Sequence, residues 1–392
     1  MTSPLACALL ACALLHPAPF PVRTALDEQR IEDLPFDVTA PGTYVLTGDL
    51  GPSSAPYGIR ILTDDVVIDL GGKVLEGGPG SGAGILAEGE RRDIVVRNGR
   101  VLHWGADGVA LASATDVELR DVVLLDNGGH GAHLGARARL SACVSDFNHG
   151  GLGFVTGPGA TIAGCTARAN EYGGILAGAG STLLECRAEE SLYGPGLQVG
   201  PEGVLRDCQA LANHSAGIRV GAGSLVADCS ARANLAMGIE AGPDSIVRGC
   251  IARATVDGSG LWMGPGGWVE DCESTGNRRR GLDLHPGVIA RGCTLRQNGL
   301  AGLRARNGCR LIGNTCESNG AAGIELIGSR VTVDGNVLGS NGVLDLSAPG
   351  RGHFVVRNTV AAERTSIGEG GFVAPFSARE DPGRGPWDNL QP

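Results

Sequence analysis

The stretch Ile162-Ala163-Gly164-Cys165-Thr166-Ala167-Arg168-Ala169-Asn170, leading on to Gly174-Ile175, is one copy of a unit that recurs along the chain. It returns from Leu205 to Asn213 with Gly217-Ile218, and from Val226 to Asn234 with Gly238-Ile239. Its cysteine repeats as Cys143, Cys165, Cys186, Cys208, Cys229, Cys250, Cys272 and Cys293, at intervals of 21 or 22 residues. Asn314, Asn336 and Asn358 then occupy the same slot. A second column follows five residues behind: Asn127, Asn148, Asn170, Ser191, Asn213, Asn234, Thr255, Asn277, Asn298, Asn319 and Asn341. A period of roughly 20 residues marks a solenoid, in which each repeat is one small unit stacked on its neighbours.

Within the unit, apolar residues alternate over very short stretches, which is the period of a strand. Glycine punctuates these stretches so often, with 65 in 392 residues, that no ten-residue helix fits between them. Two or three short strands per turn, repeated in register, describe an all-β, single-domain parallel β-helix of about 21–22 residues per coil. Right-handed winding follows from the handedness of parallel crossovers.

Parallel strands about 4.8 Å apart stack equivalent residues over each other, so each column acquires a role. Cys and Ala suit small inward positions. The Asn column is expected at a tight bend, where Asn tolerates the left-handed conformation and its amide bonds backbone and neighbouring amides. The Gly before each Leu/Ile is expected to supply a conformation that a Cβ would forbid. Stacked cysteines fit a packed thiol ladder, and their spacing also admits disulfides. A column pointing one way does not converge tetrahedrally on a metal, so no metal is assigned to it. Cys316 lies two residues past the column and belongs to another inward row; Cys309 lies in the turn before it.

The repeats run from residue 61 to residue 367, about fourteen coils and a rod on the order of 65 Å. An N-terminal cap is expected over residues 25–60 and a tail over residues 368–392. Residues 1–24 read as an export segment, because the apolar stretch from Leu5 to Leu15 is too short to span a bilayer. Leu9-Leu10-Ala11-Cys12 is similar to a lipoprotein box with Cys12 as lipid acceptor. These features place the protein outside the cell or in the cell envelope, without a transmembrane segment. Net charge is −10, and Arg278-Arg279-Arg280 is the one basic cluster, which argues against nucleic acid as a partner.

Several segments resemble the secreted bacterial right-handed parallel β-helix repeat proteins of the pectin-lyase-like superfamily. Gly42 to Leu50 is similar to that group's first strand, and Val66-Val67-Ile68-Asp69-Leu70-Gly71-Gly72 and Ile94-Val95-Val96-Arg97-Asn98-Gly99 to its next coils. Trp104 to Val109, Val356-Arg357-Asn358-Thr359 and Pro386-Trp387-Asp388-Asn389 extend the likeness to the C-terminus. The resemblance implies the fold. It leaves activity open, since the group includes lyases, hydrolases, epimerases and phage tailspikes.

The strand after each turn offers one outward position per coil, read as Ala110, Gly153, Leu176, Gln198, Arg219, Glu240, Trp262, Asp283, Arg304 and Glu325, with His133 beside Ala110. An aromatic platform among charges suits a long sugar chain. Trp262 can stack on a ring, Arg219 or Arg304 can meet a uronate carboxylate bidentately, and Glu325 completes the ligand-binding set. Glu240 and Asp283 lie two coils and about 9.6 Å apart, near the spacing of an inverting glycosidase's acid and base. The same alternation of charge equally describes an exposed sheet face stabilised by salt bridges. A second stripe, His130, His149, Tyr172, Tyr193 and His214, follows the Asn column in the turns.

Among lyases of this resemblance an Arg can remove the proton α to a uronate carboxylate, which makes Arg280 of the Arg278–Arg280 cluster a candidate base. Such lyases also need calcium, which takes six to eight oxygens, and only Asp283 with Asp257 or Glu240 lies near. Calcium is therefore expected only under the lyase alternative, and no other cofactor. No nucleophile-elbow, zinc-protease or phosphate-cradling motif is present. The sequence reads as an exported β-helix that binds a polysaccharide or cell-surface glycan, or serves as a structural element, without catalysis. The competing reading is a polysaccharide lyase or inverting glycoside hydrolase.

Overall fold

The computed structural model describes residues 28–360, 362–377 and 385–391. The expected export segment and Cys12 lie outside them. The repeat seen at Cys165 becomes three strands: Thr161–Ala163, Thr166–Arg168 and Gly173–Ala177. Each pairs in parallel with its equivalent one coil on, as in Thr166↔Arg187 and Ile175↔Leu197. The third strands build a 16-stranded sheet, one strand per coil, while the first two strands share a 29-stranded sheet. Parallel pairing already begins at Gln29–Ile31, where Gln29 faces Tyr44, so the coils start inside the segment read as a cap.

Three corners close each coil, and at most of them one residue has positive φ. In the coil of Cys208 these residues are Glu202, Asp207 and Ala212. The structure corrects the expected place of the Asn: the left-handed residue is the one before it, as in Ala169, Ala212 and Ala233. The Asn itself is buried, and its amide does a different job. Asn213 Nδ2 donates to Asn234 Oδ1 at 3.0 Å and to the Ala188 carbonyl at 3.1 Å, while the Asn213 N–H also donates to Asn234 Oδ1. The bend turns its polar backbone inward, and the amide satisfies groups that would otherwise be buried unpaired.

The Gly before each Leu/Ile is likewise corrected. Gly217 has no positive φ; a Cβ there would meet Asn234 Nδ2 at 2.4 Å. The close approach of the next coil, through its glycine carbonyl and in most coils an Asn amide, and not backbone conformation, excludes a side chain.

The cysteines from Cys143 to Cys316 are buried and free. Many donate S–H to a carbonyl two residues back, as Cys186 Sγ does to Leu184 O at 3.3 Å. Hydrogen bonding with the neighbouring thiol, burial and the repulsion of a second thiolate push Cys165, Cys186, Cys229 and Cys272 up. Burial does the same at Cys309 and Cys316. Cys316 packs in the row of Leu295 and Leu338, separate from the main column. Past Cys293 that column becomes a second Asn ladder, through Asn314, Asn336 and Asn358 to Asn389 in the tail. Among the described residues no helix is long and apolar enough to cross a membrane.

Candidate functional site

Strands of the 16-stranded sheet are three to five residues long, so each coil gives this face one central outward side chain flanked by two inward ones. Pairing orders the row as Ala110, His133, Val155, Leu176, Gln198, Arg219, Glu240, Trp262, Asp283, Arg304 and Glu325. From Leu176 to Glu325 this matches the sequence reading. Gly153 does not belong: it points inward, where a Cβ would strike Ala167 and Asn170, and Val155 takes the outward place.

Charge pairing dominates the row. Arg219 Nε donates to Glu240 Oε2 at 2.8 Å. Arg304 donates to both Asp283 oxygens, at 3.1 and 2.6 Å, and Arg306 Nη1 adds a third bond to Oδ1 at 2.9 Å. Asp283 is 5% exposed. Burial works against its charge, but the two guanidiniums outweigh it and hold the carboxyl below the usual carboxylate range. An acceptor so fully occupied is a poor general base. Glu240 and Asp283 flank Trp262, each tied to its own arginine.

Trp262 packs edge-on against His285, with centroids 4.7 Å apart. Burial, then Arg306 and Arg304, lower the His285 pKa below its ordinary value, so the imidazole is neutral near pH 7. The expected Arg278–Arg280 cluster is not one. Arg280 turns into the row and reaches Glu325 at 3.4 Å, Arg278 sits 4.0 Å from Asp257, and Arg279 is exposed. Consecutive residues of a bent turn project in different directions. Glu325 therefore answers to Arg280, two coils away, and not to Arg304.

The second stripe also divides. Tyr172 and Tyr193 are exposed with rings 5.9 Å apart. His130 accepts from the Leu152 N–H and meets the His133 ring at 5.2 Å, while His149 Nε2 bonds Asp126 Oδ1 at 2.5 Å. His214 is exposed. No group of three or more His, Cys, Asp or Glu able to hold a metal occurs among the described residues.

Residues 83–234 and 150–289 match the right handed beta helix region family, together more than half of the chain. The protein belongs to that family. The right-handed winding of this β-helix follows. No curated protein matches the sequence. Among solved structures it is similar to the pectate lyase Pel9A, at 14% identity and a TM-score of 0.37, over 56% of this chain and 70% of that one. The A-module of the Azotobacter vinelandii mannuronan C-5 epimerase AlgE4 is 12% identical, with a TM-score of 0.45, over 85% and 91%. Tailspike protein 3 of bacteriophage CBA120 is 12% identical, with a TM-score of 0.38, over 91% and 59%. The likeness is one of fold.

In this β-helix, Arg306 and a chain of side chains near the N-terminal end escaped the sequence reading. His103 Nδ1 lies 3.0 Å from Glu76 and its Nε2 3.4 Å from Asp126, which also holds His149. Arg304-x-Arg306 alternates as outward residues do and could have signalled the first. Glu76 lies in a strand, and His103 and Asp126 sit at left-handed corners of the next two coils; these coils differ in length, so no fixed spacing marks the three.

Proposed function

We propose that this β-helix is exported and binds an extended polysaccharide along the outward row around Trp262, without cleaving it. The observation that carries the reading is a partly buried indole set in register between two carboxylates, each neutralised by its own arginine. Sugar hydroxyls both donate and accept, and fixed ion pairs offer partners of both kinds, while the indole face supplies apolar area. Turns beside the row are short; the one before the Asp283 strand runs only from residue 276 to residue 281. A flat face of this kind holds a chain without enclosing it. Export rests on the apolar stretch from Leu5 to Leu15, and no cofactor is required.

One observation favours the enzyme alternative. His285, held neutral beside Trp262, is a base that feels the charges of Arg304 and Arg306, cations that could neutralise a uronate carboxylate. The test separates the two. The purified protein is run through gels containing uronic-acid and neutral polysaccharides, and incubated with the same polymers while unsaturated and reducing ends are assayed. Retardation lost in Trp262→Ala, with no new ends, supports the binding reading. New ends that vanish in His285→Ala support the lyase. Neither retardation nor product overturns both.

A further inference from the structure

The 29-stranded sheet carries an outward column that polysaccharide binding does not use. Val204, Leu225, Ile246, Trp268 and Ile289 follow one another in register, coil by coil. At about 4.8 Å per coil they form an apolar ridge of roughly 19 Å. Ile246 and Trp268 are 44% and 50% exposed, and Val204, Leu225 and Ile289 are half-buried, so the ridge is open to water at its middle. Thr182 and Arg310 bound it in the same column. A run of five apolar side chains, two of them exposed and three half-buried, calls for a cover.

Charges on either side indicate what the cover is. Two residues after the ridge stand Arg206 and Arg248, and two residues before it, at left-handed corners, stand Glu202 and Asp244. None of the four side chains has a partner within the described residues. On the coils of Val204 and Ile246, Arg206 and Arg248 thus line one flank of the ridge and Glu202 and Asp244 the other, while Glu270 on the first flank is paired with Arg291.

We propose that the ridge is a self-association surface, joining two copies side by side and parallel about a two-fold axis along the coil stack. In such an isologous contact each ridge residue meets its own copy and the flanks exchange. Arg206 faces the partner's Glu202 and Arg248 faces the partner's Asp244. The neighbouring coils place glycines, Gly266 and Gly287, opposite Glu270 and Arg291, so no like charges meet. Antiparallel rods would instead set Arg248 against the partner's Arg248 and Arg206 against the partner's Arg291. Charge therefore selects the parallel arrangement. A ridge this short places the contact in the small, reversible class, with a dissociation constant on the order of micromolar.

Sedimentation velocity of the full chain over a concentration series tests this. The wild type is expected to shift from monomer to dimer, and Trp268→Glu to weaken association roughly a hundredfold, with unchanged far-ultraviolet circular dichroism. The arrangement is tested by charge. Arg206→Glu/Arg248→Glu and Glu202→Arg/Asp244→Arg should each remain monomeric alone and form a heterodimer when mixed. A wild type still monomeric at about a hundred times the expected dissociation constant overturns the proposal, as does a dimer indifferent to Trp268→Glu. A dimer that survives either charge reversal, or a mixture that stays monomeric, overturns the parallel arrangement.

Discussion

A single amide, repeated, holds the bends of this molecule, and its interruptions show its value. Asn298 donates to Asn319 Oδ1 and to the Ser274 carbonyl, so one side chain satisfies two buried acceptors. At Ser191 and Thr255 the ladder breaks: each backbone N–H still donates to the next Asn, but each hydroxyl is buried without a partner. Beside Gly153, Gly196 and Gly217 the space over the Cα holds an Asn amide, whereas Gly174 and Gly238, next to the breaks, have none. Ser191→Asn and Thr255→Asn are expected to fill that space and stabilise the fold by about 1 kcal/mol each. Asn298→Ala should cost about 3 kcal/mol, because it strands buried partners on both sides. Chemical denaturation of the three variants checks both signs. The cysteine column makes a second residue-scale prediction. Buried, the described cysteines should resist a thiol reagent in the native state, and all ten should label on unfolding without reductant. Peptide mapping that finds any pair linked would contradict the free ladder.

At the scale of the element, the coil's three corners set its stability, and they carry a cost where the left-handed residue is not glycine. Ala212 and Ala233 have φ of 54°, a conformation that costs an L-residue roughly 1–2 kcal/mol. Ala212→Gly should remove most of that strain while adding unfolded-chain entropy, for a net gain of about 0.5–1 kcal/mol. The same change at inward Ala210, 1% exposed and in a strand, should instead destabilise by about 1 kcal/mol. Melting temperatures of the pair discriminate corner from strand. Strands, register and the inward columns were legible because a fixed period makes each residue type report its slot many times over. The corners were harder: Ala169, Ala212 and Ala233 look like ordinary small residues, and the Asn beside them drew the left-handed assignment. The outward row was also legible as a row, since alternation in a short strand settles which side chain faces out. Its partners were not, because Arg280 leaves a turn whose direction no period fixes, and Arg306 lies just beyond the repeated strand.

Acidity acts on the molecule as a whole, because three histidines on different coils share one response. Burial is the leading cause that lowers the pKa values of His130, His285 and His353 from 6.5, reinforced at His285 by Arg306 and Arg304 and opposed at His130 by Asp107. The unfolded chain therefore takes up these protons at a higher pH than the folded one. Stability is fully present above pH 6.5 and falls as pH drops below it, until the folded histidines protonate too. Each pKa unit of depression corresponds to about 1.4 kcal/mol. Asp116, Glu273 and Asp283 add a later loss: their carboxyls are held low by arginines, so they withdraw stability only as pH falls below about 4. Melting temperature is thus expected to be flat from pH 8 to 7, to decline from pH 6.5 to 5, and to fall again below about 4. His285→Gln removes one of the three contributors and should make the first decline shallower without moving the second. A profile that stays level down to pH 5, or a variant that shifts only the acidic limb, would separate the histidines from the effect. Because His285 packs against Trp262 of the expected binding row, polysaccharide retention measured over the same range should weaken along the first limb, as the imidazole acquires charge.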